Sequence, residues 1–122
     1  MMSLFTIFSI IIIHWFADFV LQTHWQATNK SKDNEALTLH VLSYSTVWLL
    51  VANVYSIITG NYLVLVFFPI ITFICHWVTD YFTSRLNAKL WAKGDIHNFF
   101  VSIGFDQVLH YVQLFLTFYF LS

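Results

Sequence analysis

One cysteine, one proline and three glycines are all that 122 residues hold of those types, and only 9% of the chain is charged. A single cysteine, Cys75, excludes an internal disulfide framework and leaves the redox compartment open. The basic residues number five and sit in two short stretches, Lys30 with Lys32, then Arg85, Lys89 and Lys93. They cannot build the broad basic face that nucleic acid requires, so no nucleic-acid partner is expected. The charged fraction falls far below the quarter typical of soluble chains, too little to dress a water-facing surface. No Asp, Glu, Lys or Arg occurs from Ala36 to Thr79, a stretch about twice the ~20 residues that cross a bilayer once. What is abundant is apolar: 59% of the chain is hydrophobic and 14 residues are phenylalanine. Together these features describe a polytopic membrane protein with the lipid bilayer as its first partner.

Polar boundaries mark four apolar segments, at about residues 4–21, 36–58, 62–83 and 99–121. Each is long enough for a transmembrane helix, whereas barrel strands would alternate polar and apolar over ~10 residues. The expected fold is all-α, a four-transmembrane-helix bundle forming one domain over residues 1–122. Thr59-Gly60-Asn61 predicts a tight turn that makes the second and third spans an antiparallel hairpin, and Pro69 predicts a kink in the third. The first segment lacks the basic start and small-residue cleavage site of a secretion signal, so it is kept as structure. A chain this short is also expected to carry no added cytoplasmic domain.

Every Lys and Arg falls in the loops after the first and third spans, and none in the N-terminus, the Gly60 turn or the C-terminus. The positive-inside bias therefore places both loops in the cytoplasm and both termini outside, as in a bacterial inner membrane. Residues 84–94 predict a short interfacial helix. Arg85, Lys89 and Lys93 recur on one stripe, with Leu86, Leu90 and Trp91 beside it. That stripe reads first as a membrane anchor and second as an attraction for an anionic substrate. Trp15, Trp25, Trp77 and Trp91 mark interface depth, where His24 and His97 are also ordinary.

Ionisable side chains inside a membrane helix cost at least ~2.5–3.5 kcal/mol and need a reason to be there. This chain has seven: His14, Asp18, His40, His76, Asp80, Asp106 and His110. Three Asp–His pairs stand four apart, His14 with Asp18, His76 with Asp80, and Asp106 with His110, a spacing that stacks two side chains on one helix face. Paired metal ligands on a helix use the same spacing, and two-metal bundles project carboxylate and imidazole inward from several helices. Counted along their helices, all seven fall in the cytoplasmic half, which predicts one shared site. The polar residues available in the outer half are Asn53 and hydroxyls.

His14-Trp15-Phe16-Ala17-Asp18-Phe19 matches His76-Trp77-Val78-Thr79-Asp80-Tyr81 in His, Trp, Asp and an aromatic, and Leu39-His40-Val41 echoes Leu109-His110-Tyr111. This suggests a two-helix unit duplicated as residues 1–60 and 61–122, about an axis along the membrane normal. Three carboxylates packed together would repel unless protonated, and two divalent cations would neutralise them. Imidazole with carboxylate, and no thiolate, suits Zn, Mn or Fe. Cys75 points about 100° away from His76 and is not expected as a ligand. Gln22, Tyr44 and Gln107 are placed to hold the ligands from outside, or to make plain interhelical hydrogen bonds.

The strings His14-Trp-Phe-Ala-Asp18-Phe-Val-Leu-Gln22-Thr and Gly104-Phe-Asp106-Gln107-Val-Leu-His110, with His76-Trp-Val-Thr-Asp80 between them, resemble a small bacterial and phage membrane-protein family of unknown function. The resemblance covers nearly the whole chain. That family is in turn distantly similar to membrane-bound metal-dependent hydrolases. The resemblance implies a metal site at these His and Asp positions and implies no substrate.

The leading expectation is a metal-dependent hydrolase of a phosphate-bearing or lipid-linked substrate at the cytoplasmic leaflet. Asp106 is its candidate base, and Arg85, Lys89 and Lys93 its candidates for holding the anionic group. The alternatives are a metal-ion or proton transporter, a b-type haem protein, and a non-catalytic interaction protein with a structural metal.

Overall fold

A computed structural model describes residues 2–122. Its elements are α1 (Leu4–Trp15), a π-helical turn (Phe16–Val20), α2 (His24–Asn29), α3 (Asn34–Thr59), α4 (Tyr62–Ala92) and α5 (Ile96–Leu121). No strand occurs among the described residues. The helix ends fall where the sequence turns polar. Ser3 caps α1 through Thr6, and Thr23 with Gln26 forms a reciprocal capping box on α2. Asp33, Asn61 and Asp95 accept backbone N–H bonds at the starts of α3, α4 and α5. Hydrogen bonds from Asn98 hold the Asp95 carboxyl below the usual aspartate value.

The turn at Gly60 forms as the sequence predicts. Gly60 closes α3 at φ +73°, in the left-handed region that favours glycine. Gly104, by contrast, lies exposed inside α5 with nothing close to where a Cβ would stand. Gly60→Ala is therefore expected to lower the unfolding midpoint in detergent and Gly104→Ala to raise it. Each corresponds to roughly 1 kcal/mol, and thermal unfolding of the two variants measures the opposite signs.

α3, α4 and α5 are long and apolar enough to cross a membrane. At 1.5 Å per residue the 26-residue helices reach about 39 Å, beyond the ~30 Å of a hydrocarbon core. The first apolar segment is shorter, with 12 residues of α-helix and five of π-helix, or about 25 Å at the α rise. Two boundaries correct the sequence reading. Residues 84–94 are no separate interfacial helix: α4 continues without a break to Ala92, because no glycine or proline interrupts it before Gly94 at φ +70°. Likewise the last helix starts at Ile96, ahead of residue 99, because Asp95 caps it there. Pro69 sits inside α4 without ending it.

Pairs along the α3–α4 hairpin run antiparallel: Ser56 with Asn61, Trp48 with Phe68, His40 with His76, and Thr38 with Trp77. α5 returns along α4 through Phe118 with Phe68, Gln113 with Thr72, and Asp106 with Thr83. One end holds the Gly60 turn, where Asn61 Nδ2 donates to the Leu121 carbonyl. The two basic stretches meet at the other, where Arg85 reaches Asn34 Oδ1 at 2.8 Å. Each long helix buries one stripe. On α4 it is Val64, Phe68, Thr72, His76, Asp80 and Ser84, so a single stripe passes from apolar to ionisable. The core thus has two parts: Ile10, Trp48, Ala52, Val64, Phe68 and Leu114 pack toward the Gly60 end, and the polar residues pack toward the basic end. The outer surface is strongly apolar; Phe5, Ile12, Ile58, Phe82, Phe105 and Phe120 are all exposed, as lipid contact requires.

Candidate metal centre

The π turn shapes the first wall of the site. An extra residue per turn brings both Ala17 and Asp18 into the bundle, while their neighbours Phe16 and Phe19 stay exposed. Asp18 faces His40 from α3, His76 and Asp80 from α4, and Asp106 and His110 from α5. All six are buried, with exposures of 9% or less. Side chains counted separately from helices running in opposite directions do meet at one height.

Four of them converge on a common point. Asp18 Oδ1, His40 Nε2, His76 Nε2 and Asp80 Oδ2 form a group whose atoms lie mutually close enough to hold a metal ion. Asp18 Oδ1 is 3.0 Å from His40 Nε2 and 3.5 Å from His76 Nε2. The two imidazole nitrogens are 3.3 Å apart, and each lies 3.4 Å from Asp80 Oδ2. Tetrahedral bonds of about 2.0–2.1 Å place neighbouring ligand atoms about 3.3–3.4 Å apart, so the five distances bracket the edges of such a tetrahedron. One imidazole N–H cannot point at three acceptors at once, whereas lone pairs aimed at one centre suit a cation. Nδ1 of His40 and of His76 has no hydrogen-bond partner, so both rings make their polar contacts through Nε2. Nitrogen and oxygen donors without sulfur fit Zn, Mn or Fe. Cys75 belongs to neither metal-binding group.

Asp18, Asp106 and His110 form a second group that could hold an ion. Asp18 belongs to both. His110 Nε2 lies 3.0 Å from Asp80 Oδ1 and 3.3 Å from Asp106 Oδ2, and its ring stacks on His76 at 4.1 Å. Asp106 also accepts a 2.6 Å hydrogen bond from Thr83 Oγ1. His14 stands one step back. Its Nδ1 is 2.7 Å from the Tyr44 hydroxyl and its Nε2 is 2.7 Å from Gln107 Oε1, leaving it 3.7 Å from Asp18 Oδ2 and outside both groups. Gln107 Nε2 donates to Asp106 Oδ2 at 3.1 Å and points at Asp18 Oδ2 at 3.5 Å, which fixes the orientation of its amide. Tyr44 packs its ring on His76 at 3.9 Å. Gln22 lies apart, its Oε1 buried without a partner.

The basic residues divide. Arg85 donates to the Tyr81 carbonyl and to Asn34 and lies over the Tyr81 ring; Lys89 and Lys93 are exposed. Lys30, which the sequence reading counted only as a loop charge that sets orientation, reaches inward from the end of α2 and donates to Asp80 Oδ2 at 2.7 Å. Burial works against its charge, but Asp80 first and Asp18 next outweigh that and raise its pKa above the usual lysine value. Nothing in its spacing signals this, because a capped six-residue helix folds the loop back to deliver it. Gln113 is a second polar residue the sequence reading passed over. It lies one turn beyond His110 and donates to Thr72 and Thr117. His24 and His97 are exposed, away from the cluster.

Membrane-length helices around a buried His/Asp cluster able to hold metal define a class of protein. The family follows from the sequence: the chain belongs to the family described as protein of unknown function DUF3307, whose model matches residues 5–122. No curated protein and no solved structure matches the chain.

Proposed function

We propose that this is a bacterial or phage inner-membrane protein carrying two divalent cations, and a metal-dependent hydrolase of a phosphate-bearing or lipid-linked substrate. The observation that carries this reading is the clustering of Asp18, His40, His76 and Asp80, whose ligand atoms lie 3.0–3.5 Å apart in five of their pairings. In it Leu4–Val20 joins α3, α4 and α5 as a fourth, short span, both termini lie outside, and the two basic stretches face the cytoplasm. Their meeting at one end of the bundle supports that orientation. The His14–Asp18 and His76–Asp80 pairs support a duplicated two-helix unit, in which His14 has diverged to hold Gln107 and Tyr44.

Asp18, His40, His76 and Asp80 would hold one ion, and Asp18, Asp106 and His110 the other, with His14, Tyr44 and Gln107 fixing them from outside. Two such cations would supply polarisation of a phosphoryl oxygen and a lowered pKa of water. Hydrolysis then forms a bond from water oxygen to phosphorus and breaks the ester P–O bond, whose electron pair leaves on the alcohol oxygen. Asp106, at the edge of the cluster beside a cavity, accepts the proton water gives up and returns a proton to the departing alcohol. Arg85, Lys89 and Lys93, which do not line that cavity, would draw the anionic substrate toward this end of the bundle by their charge. The test is release of phosphate or alcohol from lipid phosphates by purified protein with Mn or Zn. Turnover is expected to fall at least a hundredfold in His76→Ala. Full turnover in that variant rejects the site. An inactive wild type with full metal content leaves the structural-metal reading in its place.

A transporter is the second reading, and Gln113 with Thr72 and Thr117 favours it by extending the polar column outward. Beyond that step Trp48, Val64, Phe68 and Leu114 fill the core, which supports a pocket over a path. Metal flux into proteoliposomes would reverse the preference.

A further inference from the structure

A cavity of about 540 Å³ opens between the α2 segment and the basic ends of α4 and α5, with Asp18 and Asp106 at its floor. Three residues of its lining, Gln22, Ser84 and Asn87, each carry a buried side-chain oxygen without a hydrogen-bond partner, Oε1, Oγ and Oδ1 respectively. Ser84 itself is only 8% exposed. Buried polar atoms in folded proteins are almost always paired, and three orphans lining one space point to a ligand that pairs them. Two are carbonyl oxygens and the third a hydroxyl, so the ligand must present O–H or N–H donors. Lys30 is the one cation in the lining, and with one N–H spent on Asp80 it keeps two for an anion. Phe19, Trp91 and Phe99 add an apolar wall, and all three lie on elements whose outer faces are lipid-like.

We infer that this cavity seats the head of a membrane phospholipid carrying free hydroxyl groups. The phosphate would lie toward Lys30 and the metal centre, the hydroxyls on Gln22, Ser84 and Asn87, and the first chain carbons along Phe19, Trp91 and Phe99. The inference rests on the proposed metal site, because two carboxylates at the floor accept an anion only when cations neutralise them. It names the substrate class of that site as a hydroxylated lipid phosphate and sets aside choline lipids and free phosphate. A volume of this size suits one headgroup and the start of its chains.

The test uses the full chain in detergent, loaded with Mn²⁺, and three probes: dihexanoyl phosphatidylglycerol, dihexanoyl phosphatidylcholine and inorganic phosphate. Calorimetry is expected to give one glycerol lipid per chain, with the choline lipid and phosphate each at least tenfold weaker. Asn87→Leu removes one orphan and fills the space. Ala88→Trp fills it from an exposed position of α4. Both are expected to weaken the glycerol lipid at least tenfold while Mn²⁺ content stays at the wild-type level. Equal binding of the two lipids, or undiminished binding by both variants, overturns this inference and leaves the metal site standing. Selective lipid binding that both variants abolish, in protein that takes up no Mn²⁺, overturns the metal site and with it the seat of the phosphate beside that site. Absence of both overturns both.

Discussion

Asp18→Asn is expected to reduce bound Zn or Mn from about two ions per chain to fewer than half an ion. Asp18 is the one residue that belongs to both metal-binding groups. An amide keeps its shape but presents one weak oxygen in place of two charged ones, so both ions lose a ligand and the site loses a negative charge. Metal affinity falls 10- to 100-fold even when only an outer partner of a ligand is lost, and the loss of a shared carboxylate exceeds that. Asp95→Asn is the matched control. Asp95 caps the start of α5 outside both metal-binding groups, with Asn98 as its side-chain partner, so the metal content of this variant is expected to equal wild type. Elemental analysis of both purified variants makes the comparison.

Stripping the metal with a chelator is expected to lower the unfolding midpoint by on the order of 10–20 °C. An ion held at a hundred times its Kd stabilises the folded state by about 2.7 kcal/mol, and two ions double this. A chain of 122 residues falls between the size classes that shift about 4–8 and about 2–4 °C per kcal/mol, and about 4 °C per kcal/mol puts the change near the top of the stated range. Removal also leaves Asp18, Asp80 and Asp106 in one buried cluster with Lys30 as the lysine that reaches it, and uncompensated buried charge adds to the loss. Thermal unfolding with and without chelator, followed by restoration with Zn or Mn, measures the effect. Asp18→Asn is expected to show the low midpoint from the outset and no response to chelator.

The parts of the fold that the sequence foretold are those governed by local chemistry. Thr59-Gly60-Asn61 announced the turn between α3 and α4, and the uncharged run from Ala36 to Thr79 announced long apolar helices. Spacing along single helices placed His76 with Asp80 and Asp106 with His110, and counting depth brought them to one level. What local spacing does not carry is rotation of one helix about its axis or the path of a loop. The π turn that brings Asp18 inward has no sequence marker, and it separates the roles of His14 and His76 despite their matching strings. Lys30 joins the cluster through a tertiary fold-back, so counting charges in loops described it as surface. The continuous α4 shows the reverse case: an amphipathic stripe at Arg85, Lys89 and Lys93 says which face is polar and nothing about where a helix begins.

In the proposed site, imidazole and carboxylate from α3, α4 and the π turn bind one cation together. The X-ray absorption spectrum of the zinc-loaded, detergent-purified chain tests it most directly. The expected result is a first shell of nitrogen and oxygen at about 2.0–2.1 Å with the outer-shell scattering of imidazole rings, both lost in His40→Ala/His76→Ala. An all-oxygen shell without imidazole features, or sulfur scattering at about 2.3 Å from Cys75, would contradict it.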